Sequence, residues 1–183
     1  YRVIISAILS LVVSLSAIAA EPLRVTYNLN DGWNFYLASD VDGKHSDRVS
    51  LPHTWNPACS EGGYLRTSAN YSRELLIPAE WQGRRLFLRF GGVQSVADVF
   101  VNGGYVGSHE GGFTAFTMEI TDKVKFGASN YVRVMVSNAM RSDVLPVSSD
   151  MDLAGGIYRD VALLVTNRSI ISPLHYSSDG VYV

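Results

Sequence analysis

Two runs of strand-favouring residues, 96–101 and 104–110, meet at Asn102-Gly103. A two-residue turn of type I′ needs positive φ at both central positions, which Asn and Gly tolerate best. The spacing therefore predicts a β-hairpin, and a sheet built around it. Beyond the second strand, Gly111-Gly112 suits a tight bend or a close backbone approach. Phe113 and Phe116 are then expected to resume a buried face.

The remaining elements are also strands. Residues 33–37 form an aromatic strand candidate, and 71–77 a second one stopped by Pro78. Leu86, Leu88 and Phe90 alternate with Arg85, Phe87 and Arg89, the period of a half-buried strand. Val132, Val134 and Val136 repeat the alternation, as do Val161, Leu163 and Val165. No helix of three turns is predicted after residue 20. Short strands between turn signals predict an all-β fold, an antiparallel jelly-roll sandwich.

Two long connections interrupt this pattern. Pro52 and Pro57 break regular structure around His53, Thr54, Trp55 and Asn56, and a polar loop runs on to Asn70. The second loop spans residues 138–158. Loops of this length in a compact domain are often functional.

With 15 basic and 17 acidic residues and a net charge of -2, the chain has no electrostatic footprint for nucleic acid. Cys59 is the single cysteine and has no basic residue beside it, so it reads as an inert loop thiol. Residues 1–20 carry Arg2, an uncharged apolar run and an Ala-x-Ala end, the pattern of a secretory signal peptide. A membrane anchor is the rival reading, because the run approaches spanning length. Its four serines and small-residue end favour cleavage, giving a secreted or periplasmic protein with no membrane contact after cleavage. The chain starts at Tyr1 rather than Met, and a strand candidate opens within residues 173–183, so a longer protein is expected.

Several motifs occur in an order that resembles the N-terminal sugar-binding domain of glycoside hydrolase family 2. They are Leu51-Pro52-His53-Thr54-Trp55-Asn56, the 81–90 segment, Asn102-Gly103, His109-Glu110-Gly111-Gly112-Phe113, the 130–134 run and Gly155-Gly156-Ile157-Tyr158-Arg159. The likeness covers roughly residues 30–168. It implies a signal peptide at 1–20, a jelly-roll domain at 21–169 and, at 170–183, the start of an immunoglobulin-like domain that precedes a TIM barrel. Family members are retaining enzymes using two barrel glutamates, the acid/base following an asparagine. None of the six glutamates here follows one. The resemblance thus implies a non-catalytic segment of a β-galactosidase-type enzyme, with a β-glycoside as the substrate of the whole. No cofactor and no metal site are expected in this chain.

The resemblance also implies which residues meet the sugar. An aspartate shortly before the Gly-Ile-Tyr-Arg motif matches Asp150, and a carboxylate can accept two charge-assisted hydroxyl bonds. Asn56 is the candidate from the earlier loop, with Asn70 as runner-up. Asp152 is a weaker candidate, and no third acid is placed to make a metal site with it. Trp55 and Tyr64 read as packing residues, His53 and His109 as polar loop or strand residues, and Tyr158 and Arg159 as anchors of the Asp150 loop. A free-standing carbohydrate-binding module and a structural or oligomerisation domain are the alternative functions.

Overall fold

The computed structural model describes residues 23–40, 45–56, 65–145 and 154–180. The described residues form ten strands: β1 Arg24–Asn28, β2 Trp33–Leu37, β3 Asp47–Val49, β4 Ser68–Ile77, β5 Arg85–Phe90, β6 Val96–Val101, β7 Gly104–Glu110, β8 Phe116–Glu119, β9 Ala128–Ser137 and β10 Val161–Thr166. They form two antiparallel sheets, one of four strands in the order β1-β10-β5-β8 and one of six in the order β3-β2-β4-β9-β6-β7. The fold is an antiparallel β-sandwich of jelly-roll type. Among the described residues, helical structure is limited to two single 3-10 turns, and no helix is long and apolar enough to cross a membrane. The predicted signal peptide lies outside the described residues.

Alternation explains the core. Val132, Val134 and Val136 of β9 face inward with Ala97, Val99 and Val101 of β6, and all are at most 1% exposed. Leu86, Leu88 and Phe90 of β5 meet them from the other sheet, beside Val161, Leu163 and Val165. Burying side chains of this size contributes about 1.5–3 kcal/mol each. The outer face of the smaller sheet is also partly covered. Phe87 and Leu164 are 0% and 2% exposed there, and Arg85 lies 5.1 Å over the Phe87 ring. Ser177 reaches the same face, where its Oγ accepts from Arg89 Nε at 3.1 Å.

The Asn102-Gly103 turn has φ of 52° and 80°, as type I′ requires. The hairpin is not the centre of the sheet, however. β7 is an edge strand, and the middle of the larger sheet is the ten-residue pair β4 and β9. A bulge marks this edge pair: the register shifts between Val99 and Phe100, so Val106 has no cross-strand partner. Asn102 fastens the edge by accepting from the Tyr131 amide at 3.0 Å and donating to the Lys123 carbonyl at 2.9 Å. Phe116 is buried, but Phe113 is 55% exposed, because β8 begins only at Phe116. β1 was not expected from the sequence; residues 173–180 form turns and bends, and the end of the 173–183 strand candidate lies outside the described residues.

Candidate functional site

Strand register gathers the long loops at one end of the sandwich. Ser68 of β4 and Val96 of β6 both lie opposite Ser137 of β9, and Glu110 of β7 lies opposite Val96. In the other sheet Val161 and Phe116 both lie opposite Phe90. The connections 50–67, 91–95, 111–115 and 138–160 therefore share that end.

Two of these connections run side by side. The His53 amide donates to the Ile157 carbonyl at 2.9 Å, and the Trp55 amide to the Gly155 carbonyl at 3.2 Å. Thr54 Oγ1 donates to the same Gly155 carbonyl at 2.7 Å. The approach is close enough to require glycine. A Cβ on Gly155 would lie 2.0 Å from the Trp55 ring, and one on Gly156 would lie 2.3 Å from the His53 carbonyl oxygen.

Asn56 joins the necks of both loops. Its Nδ2 donates to the Leu65 carbonyl at 3.3 Å, closing the base of residues 57–64. Its Oδ1 accepts from the Gly155 amide at 3.0 Å and from Asn138 Nδ2 at 3.4 Å, the two flanks of the 139–154 loop. Asn138 completes the cluster by donating to the Leu65 carbonyl at 3.0 Å and accepting from the Thr67 amide at 2.8 Å. Asn56 is 3% exposed and Asn138 1% exposed. A buried amide with its bonds satisfied fixes one arrangement, since breaking it strands polar groups. Asn56→Ala is expected to destabilise the chain by about 2–3 kcal/mol, because the Gly155 amide loses its acceptor in a buried site. Thermal unfolding should register a fall in Tm of roughly 4–12 °C, and an unchanged Tm would show that the cluster holds nothing.

An aromatic group lies beneath. His53 packs 4.7 Å from Phe35, and its Nδ1 lies 2.8 Å from the Tyr71 hydroxyl. Burial raises the Tyr71 pKa, so the phenol stays protonated. Burial also lowers the His53 pKa, with Asp47 pulling weakly the other way. The unfolded imidazole, near 6.5, then binds protons more readily than the folded one. Stability from this site is present above that pH and is lost as pH falls through the lowered folded value. His109, buried against Phe116, shifts in the same direction. The urea midpoint should be lower at about pH 5 than at about pH 7.5, with His53→Gln and His109→Gln together removing most of the difference. Equal midpoints in the wild type would contradict this.

Tyr158 donates its hydroxyl proton to the Gly112 carbonyl, and Arg159 lies 5.4 Å over its ring, so both brace the 154–160 arm. Arg141 ties Glu110 of β7 to Asp143 of the 138–145 arm. Asp150, Asp152, Tyr64 and Cys59 lie outside the described residues. Asn70 lies on β4, 7% exposed and opposite Met135 and Tyr36. Sequence reasoning missed Asn138, whose buried role has no local signature. Among the described residues no group of three or more His, Cys, Asp or Glu side chains could hold a metal. What this end offers chemically is a rigid frame of amides and backbone that sets two loop bases.

Comparison with known proteins bears on what those loops serve. The family model described as "Glycosyl hydrolases family 2, sugar binding domain" matches residues 47–167. A beta-glucuronidase of Bacteroides fragilis is 47% identical over 172 residues, which is 92% of this chain and 25% of that protein. A beta-galactosidase of Thermoanaerobacter pseudethanolicus is 32% identical over 163 residues, covering 86% of this chain and 21% of that protein. Among solved structures, Bacteroides uniformis beta-glucuronidase 2, covalently bound to cyclophellitol-6-carboxylate aziridine, superposes with a TM-score of 0.77 at 36% identity. That match covers 85% of this chain and 20% of the other. The chain thus spans a quarter or less of the length of these relatives.

Proposed function

The chain belongs to glycosyl hydrolase family 2, and from that premise we propose that it is a non-catalytic sugar-binding domain. In this reading it completes the active site of a longer β-glycosidase. The observation that carries the reading is the Asn56 amide, which fastens the bases of residues 57–64 and 139–154 in one cluster. A domain whose task is to present two loops to a neighbouring catalytic unit needs such a frame. The catalytic carboxylates belong to a barrel elsewhere in the protein, reached through an immunoglobulin-like domain.

In this proposal Asp150 contacts the sugar. Asn56, already committed to both loop bases, serves the substrate by holding the loops in position. The substrate is a β-glucuronide. The 47% identity to a beta-glucuronidase favours it over the β-galactoside expected from the sequence motifs, and cyclophellitol-6-carboxylate aziridine is bound covalently by another beta-glucuronidase that contains a domain like this one. A β-galactoside is the second reading, supported by the 32% identical beta-galactosidase. The signal-peptide pattern of residues 1–20 supports a secreted or periplasmic enzyme in this reading.

The test is hydrolysis of 4-nitrophenyl β-D-glucuronide and β-D-galactoside by the intact protein and by the 183-residue chain alone. The intact protein should cleave the glucuronide faster and with retention, and the chain alone should cleave neither. Failure of the intact protein to cleave either glycoside would remove the reading.

A further inference from the structure

A second feature starts in the 111–115 connection and runs along β7 and β8, the terminal strands of the two sheets, where they come together. A cleft of about 820 Å³ opens there under a turn formed by residues 174–177. That is within the size range of small-ligand sites. His109 and Phe116 line it, backed by a column of rings that continues into the core. His109 stacks on Phe116 at 4.2 Å and 16°, and Phe116 stacks on Phe90 at 4.7 Å. His109 Nε2 lies 3.1 Å from Thr114 Oγ1, which fixes the imidazole plane.

The turn is pinned and holds an aromatic ring outward. Tyr176 and Ser177 have φ of 51° and 53°, a left-handed conformation that non-glycine residues adopt only when the surroundings enforce it. Ser177, 6% exposed, supplies that enforcement. Its Oγ lies 2.6 Å from Thr117 Oγ1 and accepts from Arg89 Nε at 3.1 Å. At the apex Tyr176 is 82% exposed, with His175 edge-on to it at 4.4 Å. An exposed aromatic ring on an immobilised backbone is a preformed surface, because little freedom is left to lose on binding.

The chemistry of the lining selects the ligand. None of the side chains lining the cleft belongs to Asp, Glu, Lys or Arg, and the Arg89 guanidinium beside it is engaged by Ser177. Burial lowers the His109 pKa, with the Gly111 backbone pulling the other way, so the neutral imidazole is favoured. What remains is a set of hydroxyl and imidazole groups from Ser108, Thr114, Thr117 and His109, which both donate and accept, beside flat ring faces. A neutral ring bearing several hydroxyls fits both. Its C–H face lies on an aromatic ring, and its hydroxyls bond to the polar rim.

We propose that this cleft is a second, non-catalytic binding site for a neutral saccharide, with Tyr176 as its stacking platform and His109 and Thr114 as hydrogen-bonding groups. The proposal does not rest on the catalytic reading, since none of these residues borders the Asn56 cluster.

The test is saturation-transfer NMR and titration calorimetry of the intact protein with maltotriose, cellotriose and xylotriose. At least one should bind saturably, and Tyr176→Ala should weaken that binding by roughly tenfold or more. Because Tyr176 is exposed, the variant should keep the wild-type Tm. Asp150→Ala should leave the binding intact, which separates this site from the active-site loops. Absence of binding by all three sugars would overturn the proposal. So would equal affinity in wild type and Tyr176→Ala, or a structure of the intact protein with Tyr176 covered by another domain.

Discussion

Gly156→Ala is expected to destabilise the chain by about 3–5 kcal/mol, the range reached only when a substitution meets a specific structural obstacle. Two effects add. The backbone at Gly156 has φ of 143°, outside even the left-handed region that asparagine visits. The new methyl would also sit 2.3 Å from the His53 carbonyl oxygen and 2.9 Å from Thr54 Cα, which are backbone atoms and cannot rotate aside. Relief requires moving the 53–56 arm away from 155–157, and with it the His53-to-Ile157 and Trp55-to-Gly155 hydrogen bonds.

Gly103→Ala isolates the first effect. Gly103 has φ of 80°, and a Cβ there meets nothing within 4 Å. That variant should lose only the conformational term, about 1–3 kcal/mol. Urea unfolding of both variants decides the matter. If Gly156→Ala is no worse than Gly103→Ala, the close approach at the loop bases is not rigid. If it is much worse, the 53–56 and 155–157 arms are a fixed unit.

Different parts of this architecture were legible in the sequence to different degrees, for physical reasons. Asn102-Gly103 could be read because a type I′ turn is decided by two adjacent residues and their φ angles. The place of its hairpin in the sheet could not, because that depends on pairings such as Val99 with Val134, set by the whole core. β1 was missed because four of its five residues are exposed, so no inward-facing alternation marks it. Phe113 and Phe116 look alike locally, and only the start of β8 separates the exposed ring from the buried one. The amide cluster was the least legible. Its bonds join Asn56 to Asn138 and Gly155 across 82 and 99 residues, and an asparagine in a loop reads as a turn former until those partners are known. Close backbone approach was read from Gly111-Gly112 and not from Gly155-Gly156, although the structure brings the latter pair against Trp55 and His53.

The central claim is that this end of the sandwich helps bind the substrate of a larger glycosidase. Asp150→Ala in the intact protein tests it most directly. A charged hydrogen bond to a sugar hydroxyl contributes on the order of 1.5–3 kcal/mol, so kcat/KM for 4-nitrophenyl β-D-glucuronide should fall about 10- to 150-fold. Tm should be unchanged, and Asp150→Asn should retain part of the activity because its amide oxygen still accepts. A kcat/KM equal to wild type in Asp150→Ala, with the intact protein active, would contradict the claim and leave the domain a structural support alone.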